Sequence, residues 1–163
     1  RSRFYNTGLM VNGRYYSVEG IPSRRVPTSL GRIIEDGVID EQYYLTESTM
    51  PRWRYVKGAK QELRHRKDGT RYIFSEGAFP DPLNRPGRTM LTSEGSLNRS
   101  SHVILDPTSN RLRTLTPIEC ERLNGFPDNW TAGMPDRMRY FTMGNALVVP
   151  LISKIGFNLL HFL

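Results

Sequence analysis

Arg113-Thr114-Leu115-Thr116-Pro117-Ile118-Glu119-Cys120-Glu121-Arg122-Leu123-Asn124-Gly125-Phe126-Pro127-Asp128 is the stretch whose reading decides the fold. Thr116-Pro117-Ile118-Glu119 has the form of a capping box with proline at the first helical position. The Thr116 hydroxyl can accept from a free backbone N–H while the Glu119 side chain reaches back to the cap. Gly125 ends the helix, and Pro127 just beyond it keeps the chain from resuming. Glu119 and Arg122 stand at i, i+3 and are expected to pair on the helix surface. Immediately before the cap, Arg111–Leu115 reads as a strand entered through the turn at Asp106-Pro107 to Asn110.

Downstream the helical pattern continues. A second short helix is expected over Pro135–Thr142. A third starts near Val148, with Val148, Leu151, Ile152, Ile155 and Leu159 on one face and Pro150 tolerated in its first turn. Upstream, the chain from 1 to 112 reads as strands and loops. Tyr15–Val18, Thr70–Phe74, Thr89–Thr92 and His102–Leu105 are short, aromatic or β-branched, and bounded by Gly, Pro or Asn. Asp68-Gly69 predicts a tight hairpin between 63–67 and 70–74, because both central positions favour positive φ. The expected class is α+β: an irregular β-rich segment followed by a small helical tail. That tail has too little apolar surface to stand alone, so it should dock on a larger body.

Charge is unevenly spread along the 163 residues, whose formal net charge is +7. Residues 51–72 hold Arg52, Arg54, Lys57, Lys60, Arg64, Arg66, Lys67 and Arg71 against Glu62 and Asp68, +6 in that segment alone. Residues 1–25 carry +4 and residues 28–50 carry −4. A phosphate-binding stripe accounts for such clustering, and so does a solvated surface that happens to be basic. Trp53 and Tyr55, interleaved with Arg52, Arg54 and Lys57, fit either stacking on bases or one face of a half-buried strand, the latter slightly favoured. His65, His102 and His161 are isolated and lack metal-ligand spacing. The single cysteine, Cys120, excludes an internal disulfide framework. It sits inside the capped helix where nothing lowers its pKa, so it reads as a packed core residue. No run of about 18 apolar residues occurs, so no spanning helix is expected. With no secretory leader, an intracellular, reducing setting is the default. Arg1 is not Met and no cap precedes Arg1–Phe4, which suggests a start inside a larger protein.

Against this background, the Arg113–Asp128 stretch resembles the ninth conserved motif of DNA cytosine-5 methyltransferases, roughly R-x-L-T-P-x-E-x-x-R-L-x-G-F-P-D. Met143-Gly144-Asn145-Ala146-Leu147-Val148-Val149-Pro150 is similar to the tenth, G-N-[AS]-[VL]-x-[VP]-P. Arg1-Ser2-Arg3-Phe4-Tyr5 resembles the end of the eighth, and Arg88-Thr89-Met90-Leu91-Thr92-Ser93-Glu94-Gly95 the Thr-Leu loop of the family's recognition region. The order and separation of the ninth and tenth motifs carry the resemblance, which covers nearly the whole chain.

It implies a division into residues 1–9 (end of a catalytic-domain strand), 10–112 (target recognition) and 113–163 (helices returning to the catalytic domain). That missing domain would be Rossmann-like and bind S-adenosylmethionine. Family members flip a cytosine out of duplex DNA, attack C6 with a cysteine thiolate and methylate C5. By resemblance Arg1 and Arg3 would clamp the flipped base, a task suited to a planar, permanently charged fork; an arginine at a frayed terminus is the alternative. Asn145 and Ala146 would meet the methionine end of the cofactor, with Gly144 allowing the close turn. Many relatives have Ser where Ala146 stands, leaving only backbone donation here. Gly144-Asn145 as a mere helix-linking turn is the other reading.

The expected DNA contacts are Arg54, Lys57, Lys60, Arg64, Arg66, Lys67, Arg71, Arg88, Thr89, Thr92, Ser93, Gly95 and Arg99, on a short and GC-rich duplex site. Arg113, Glu119, Arg122, Gly125 and Pro127 are expected to be structural, fixing the recognition region to the catalytic body, although Arg113 and Arg122 could instead touch phosphates. The Gly-rich cofactor loop, the Pro-Cys loop and the Glu-Asn-Val motif do not occur, so this chain by itself should not methylate. Its expected partners are duplex DNA and an N-terminal catalytic half, in the cytoplasm of a bacterium and with no metal. A non-catalytic specificity subunit of a naturally split methyltransferase is the alternative.

Overall fold

In the computed structural model, residues 5–21, 26–59 and 75–160 are described. Strands β1 (Thr7–Val11) and β2 (Arg14–Val18) form an antiparallel hairpin in which Thr7 faces Val18 and Val11 faces Arg14. Its turn is Asn12-Gly13, both at positive φ (49° and 74°). That is the backbone a tight hairpin with right-handed twist demands. The Asn6 carboxamide accepts from Gly20 N at 2.7 Å and donates to its carbonyl at 2.9 Å, closing the base. Leu9, Met10, Val11, Tyr15, Tyr16 and Val18 all stay exposed, so neither face of the hairpin is covered by the described residues.

The core lies elsewhere. Leu30, Ile33, Met90, Ile104, Leu115, Cys120, Tyr140 and Met143 pack together, with Leu123, Phe126 and Ala146 against them. Strands β3 (Val103–Leu105) and β4 (Leu112–Thr114) pair antiparallel through its centre, with Val103 opposite Thr114. The turn between them is tied by Asp106, whose carboxylate accepts from Ser109 N at 3.0 Å and from the Tyr44 hydroxyl at 3.0 Å. The expected division at 112/113 thus falls inside β4, and the core draws side chains from both sides of it.

Helix α1 (Met50–Lys57) replaces the half-buried strand expected around Trp53 and Tyr55. Pro51 fits its first turn. Trp53 is buried and Tyr55 is exposed. A local alternation of aromatic and basic residues mimics a strand period, but in a helix positions 53 and 55 point to different sides. Thr89–Thr92, also expected as a strand, is unpaired chain leading into a turn. The expected hairpin around Asp68-Gly69, with the strand at 70–74, lies outside the described residues.

Helix α2 (Pro117–Asn124) has both halves of the capping box: Thr116 Oγ1 accepts from Glu119 N at 3.2 Å, and Glu119 Oε2 accepts from Thr116 N at 2.9 Å. It ends at Gly125 in the left-handed region (φ 81°), where a Cβ would stand 2.6 Å from Pro150 Cδ. The expected Glu119–Arg122 pair does not form. Glu119 turns inward to Arg113, and Arg122 reaches Asp128 (2.6 Å) and the Ile34 carbonyl (3.0 Å). Helix α3 (Asp136–Asn145) packs on α2, with the Tyr140 hydroxyl donating to Leu115 O at 2.6 Å and Asn124 Nδ2 to Met143 O at 2.7 Å.

Helix α4 (Val149–Leu160) begins within a residue of the expected start, yet none of its residues is buried; Leu151, Ile152, Ile155 and Leu159 are exposed. By length and composition the run Asp136–Leu160 could cross a membrane. The backbone breaks it: Ala146 is extended (ψ 152°), leaving helices of 10 and 12 residues. A spanning helix needs about 20.

Candidate functional site

The loop from Gly87 to His102 has no strand neighbours, so its backbone groups must find other partners. They are supplied by a cluster of polar and charged side chains in which Lys57, Asp81, Glu94 and His102 are buried and Arg88 stands exposed at the edge. Arg88 forms a two-pronged pair with Asp81 (2.8 and 3.0 Å) and donates to the Ser100 and Ser101 carbonyls at 3.0 and 3.1 Å. Asp81 in turn accepts from Val103 N at 2.9 Å. Burial pulls the Asp81 carboxyl up, but the bonds from Arg88 and Val103 outweigh it and hold the group below its ordinary value.

His102 is fully buried and bridges the loop's two ends. Its backbone N–H donates to Glu94 Oε1 at 2.6 Å, and its Nε2 accepts from Arg88 N at 2.9 Å. Because Nε2 must accept, the proton sits on Nδ1. That nitrogen faces Glu94 Oε2 at 3.2 Å. Lys57 is buried as well and donates through Nζ to the Ser101 carbonyl. Burial, then the neighbouring Arg88 charge, pushes its ammonium down to about 8. Arg99 spreads its fork over the Val56 and Gly58 carbonyls (3.0 and 2.7 Å) and that of Ser75.

One expected phosphate ligand is therefore corrected: Lys57 is buried and has no surface left to offer. Arg88, which is exposed, and Arg99, which is half-buried, also bond the protein's own carbonyls and carboxylates. Arg54, on α1, remains exposed. Thr89 and Thr92 are exposed on the loop, and Ser93 is half-buried, its Oγ accepting from Asn98 Nδ2 at 3.0 Å. Gly95 holds φ 76°, in the left-handed region. Lys60, Arg64, Arg66, Lys67 and Arg71 lie outside the described residues, as do Arg1 and Arg3.

The loop runs directly against the end of α3. Gly87, Arg88, Thr89 and Met90 on one side, and Leu123, Asn124, Met143, Gly144, Ala146 and Val148 on the other, line a cleft of about 320 Å³. Asn145, between the lining residues Gly144 and Ala146, is exposed and donates through Nδ2 to the Phe141 carbonyl at 3.1 Å, which leaves Oδ1 as an acceptor. Ala146 is half-buried, its N–H bonded to Met143 O at 3.2 Å. Among the described residues no cluster of His, Cys, Asp or Glu could hold a metal ion.

Arg113 and Glu119 are both fully buried and joined by two bonds of 2.7 Å, with Asp106 3.4 Å from Arg113 Nε. The phosphate-contact alternative for Arg113 is thereby removed. Cys120 is fully buried, and burial, then the charge of Glu94, pushes its thiol up. That moves it away from the thiolate that a nucleophile requires. The sequence alone assigns no site role to Asp81, Glu94 and His102, which hold the loop, or to Tyr140, which stands about one helical turn before Gly144.

Over residues 9–161 the chain matches the C-5 cytosine-specific DNA methylase family. It belongs to that family. It is 52% identical to the type II methyltransferase M.Sau3AI of Staphylococcus aureus over 156 residues, 94% of this chain and 37% of that protein. It is 26% identical to the type II methyltransferase M.HpaII of Haemophilus parainfluenzae, covering 99% of this chain and 46% of that one. The chain thus spans less than half the length of these relatives. Two solved methyltransferases share the methylase fold: S. pombe Dnmt2 (TM-score 0.55, 16% identity, 82% of this chain and 40% of that one) and Entamoeba histolytica EhMeth (TM-score 0.51, 14% identity, 83% and 43%).

Proposed function

We propose that this chain is the target-recognition and cofactor-closing portion of a bacterial DNA (cytosine-5) methyltransferase of restriction-modification type. It acts on a short duplex site in the cytoplasm with S-adenosylmethionine as methyl donor. The observation that carries the reading is the juxtaposition in one cleft of the Arg88–Gly95 loop and the Gly144-Asn145-Ala146 turn. The loop buries Glu94 and exposes Thr89, Thr92 and part of Arg88, hydroxyls and a guanidinium edge of the kind suited to reading base edges. Residues outside it, Arg54 among them, supply the salt-dependent attraction to phosphates.

The cofactor brings an electrophilic methyl group. Beside the cleft, Asn145 offers a carboxamide oxygen to the ammonium of the cofactor's amino-acid end, whereas the Ala146 N–H is already bonded to Met143 O, so the backbone donation expected there is taken up at the helix end. The nucleophile would come from the N-terminal catalytic half. The apolar faces of α4 and of the β1–β2 hairpin, exposed among the described residues, support such a partner, since a contiguous exposed apolar surface of this kind marks an interface.

The test is reconstitution. This chain joined to the catalytic half should transfer labelled methyl groups from S-adenosylmethionine to duplex DNA, and this chain alone should transfer none. Mapping the methylated cytosines reads the site, including the expected GC-rich character. Absence of transfer from two folded, associated halves would remove the enzyme reading and leave a specificity subunit.

A further inference from the structure

Helix α3 offers a seat for the recognition loop along one face, at positions 140, 143 and 144. At the first, Gly95 lies on the Tyr140 ring so closely that a Cβ would stand 2.5 Å from Cε2 and 2.6 Å from Cζ. At the second, Met90 and Met143 share the buried core. At the third, a Cβ on Gly144 would stand 2.5 Å from both the Leu91 carbonyl carbon and Thr92 Cα, and would collide with Thr92 N. The atoms it meets are backbone, which cannot swing aside as a flexible side chain can. Tyr140 is itself locked by its hydroxyl bond to Leu115. Asn145 and Ala146 follow directly at the same helix end.

We propose that Gly144 and Tyr140 are positioning residues for DNA recognition: they register the Thr89–Gly95 loop against the helix end that carries Asn145 and Ala146, so loop height and cofactor turn are set by one contact. The proposal rests on the recognition and cofactor roles proposed above. It assigns to Gly144 a task different from permitting a turn for the cofactor. Its φ is not in the left-handed region, and what requires glycine there is the loop pressed on its Cα. An added methyl must lift the loop by about 1 Å to restore ordinary contact of 3.4 Å. Misplacement of that size away from the reacting atoms can cost on the order of 10²-fold.

The experiment uses the enzyme joined to its catalytic half and the variants Gly144→Ala and Tyr140→Leu. Three quantities are read: KM for DNA against kcat, discrimination between the mapped site and a site with one altered base pair, and S-adenosylmethionine affinity without DNA. One altered base pair typically changes binding by about 10- to 100-fold. In Gly144→Ala that discrimination should fall by roughly 10-fold and KM for DNA should rise, with cofactor affinity held within about 2-fold. Tyr140→Leu, which removes the ring under Gly95 but keeps an apolar side chain, should move the same quantities less, and it carries the test if Gly144→Ala does not fold. Weakened cofactor binding with unchanged discrimination would overturn the proposal in favour of a cofactor turn. Unchanged values in both variants would overturn it outright. A wild-type enzyme that transfers no methyl groups would instead undo the underlying functional reading.

Discussion

Replacing Glu119 by Gln exchanges an oxygen for an NH₂ and should remove a large share of the chain's stability. Each carboxylate oxygen of Glu119 accepts two hydrogen bonds. Oε1 takes Glu35 N at 2.9 Å and Arg113 Nη2 at 2.7 Å; Oε2 takes Arg113 Nη1 at 2.7 Å and Thr116 N at 2.9 Å. A glutamine presents an NH₂ at one of these places whichever way the amide turns, so it always sets a donor against two donors. One lost bond is to a charged guanidinium, worth about 1.5–3 kcal/mol, and the other to a backbone N–H, worth about 1 kcal/mol. Arg113 then keeps its charge in a fully buried position with Asp106 at 3.4 Å as its remaining carboxylate. The sum, about 2.5–4 kcal/mol, overlaps the ~3–5 kcal/mol typical of breaking a buried pair from one side. A domain holds only about 5–15 kcal/mol in all. Urea unfolding at unchanged slope should show the midpoint falling by more than about 1 M. Asp128→Asn, which breaks the solvent-exposed Arg122 pair, should cost no more than about 1 kcal/mol and serves as the comparison. If Glu119→Gln moves the midpoint no further than Asp128→Asn, the four-bond accounting is wrong.

Lys57 provides a pH test. Its ammonium titrates at about 8 in the fold against an ordinary 10.5. Between those values the unfolded chain binds more protons, so stability rises with pH. Relative to Lys57→Met, wild type should therefore gain up to about 3 kcal/mol on going from about pH 7.5 to about pH 10.5, and parallel profiles would contradict a buried, charged Lys57. In the reconstituted enzyme, Arg54→Ala should lower the slope of log binding constant against log salt by about 1, whereas Lys57→Met should leave the slope alone. Equal slopes for the two would show that exposure does not sort phosphate contacts here. Cys120→Ala should keep methyl transfer within about 2-fold of wild type, because a buried protonated thiol is no nucleophile; a hundred-fold loss in a folded variant would reopen its role.

The helical third was legible because its signals are local. Thr116, Glu119 and Gly125 specify a start and a stop through contacts within a few residues, and the structure has both. Local spacing misled where tertiary contacts decided the outcome. Glu119 and Arg122 are neighbours on a helix surface, yet Glu119 is drawn inward to Arg113, because a buried guanidinium needs a carboxylate more than a solvated one does. Thr89–Thr92 has strand composition but finds no strand beside it. Trp53 and Tyr55 alternate with basic residues and still lie on a helix, since Thr49-Met50-Pro51 opens one and burial of Trp53 holds it.

Counting charge has a related failing. By composition the cations of residues 51–72 and 88–99 face a polyanion, yet Lys57 is buried and Arg88 and Arg99 bond the protein's own backbone. The reason lies in the loop they hold. A chain such as 75–102, which runs without strand pairing, and the end of α1 beside it leave carbonyls in need of donors, and long cationic side chains reach across to supply some of them. Lys57 serves Ser101, Arg88 serves Ser100 and Ser101, and Arg99 serves Val56, Gly58 and Ser75. Under the proposed role, positive charge here would have two uses, building the loop and attracting phosphates, and net charge adds them together. What separates them is the supply of carbonyls within reach, which depends on the fold. On the proposed recognition role, the surface offered to DNA would be set less by the cations than by where they hold the loop, with Thr89 and Thr92 exposed above the helix end that carries Gly144.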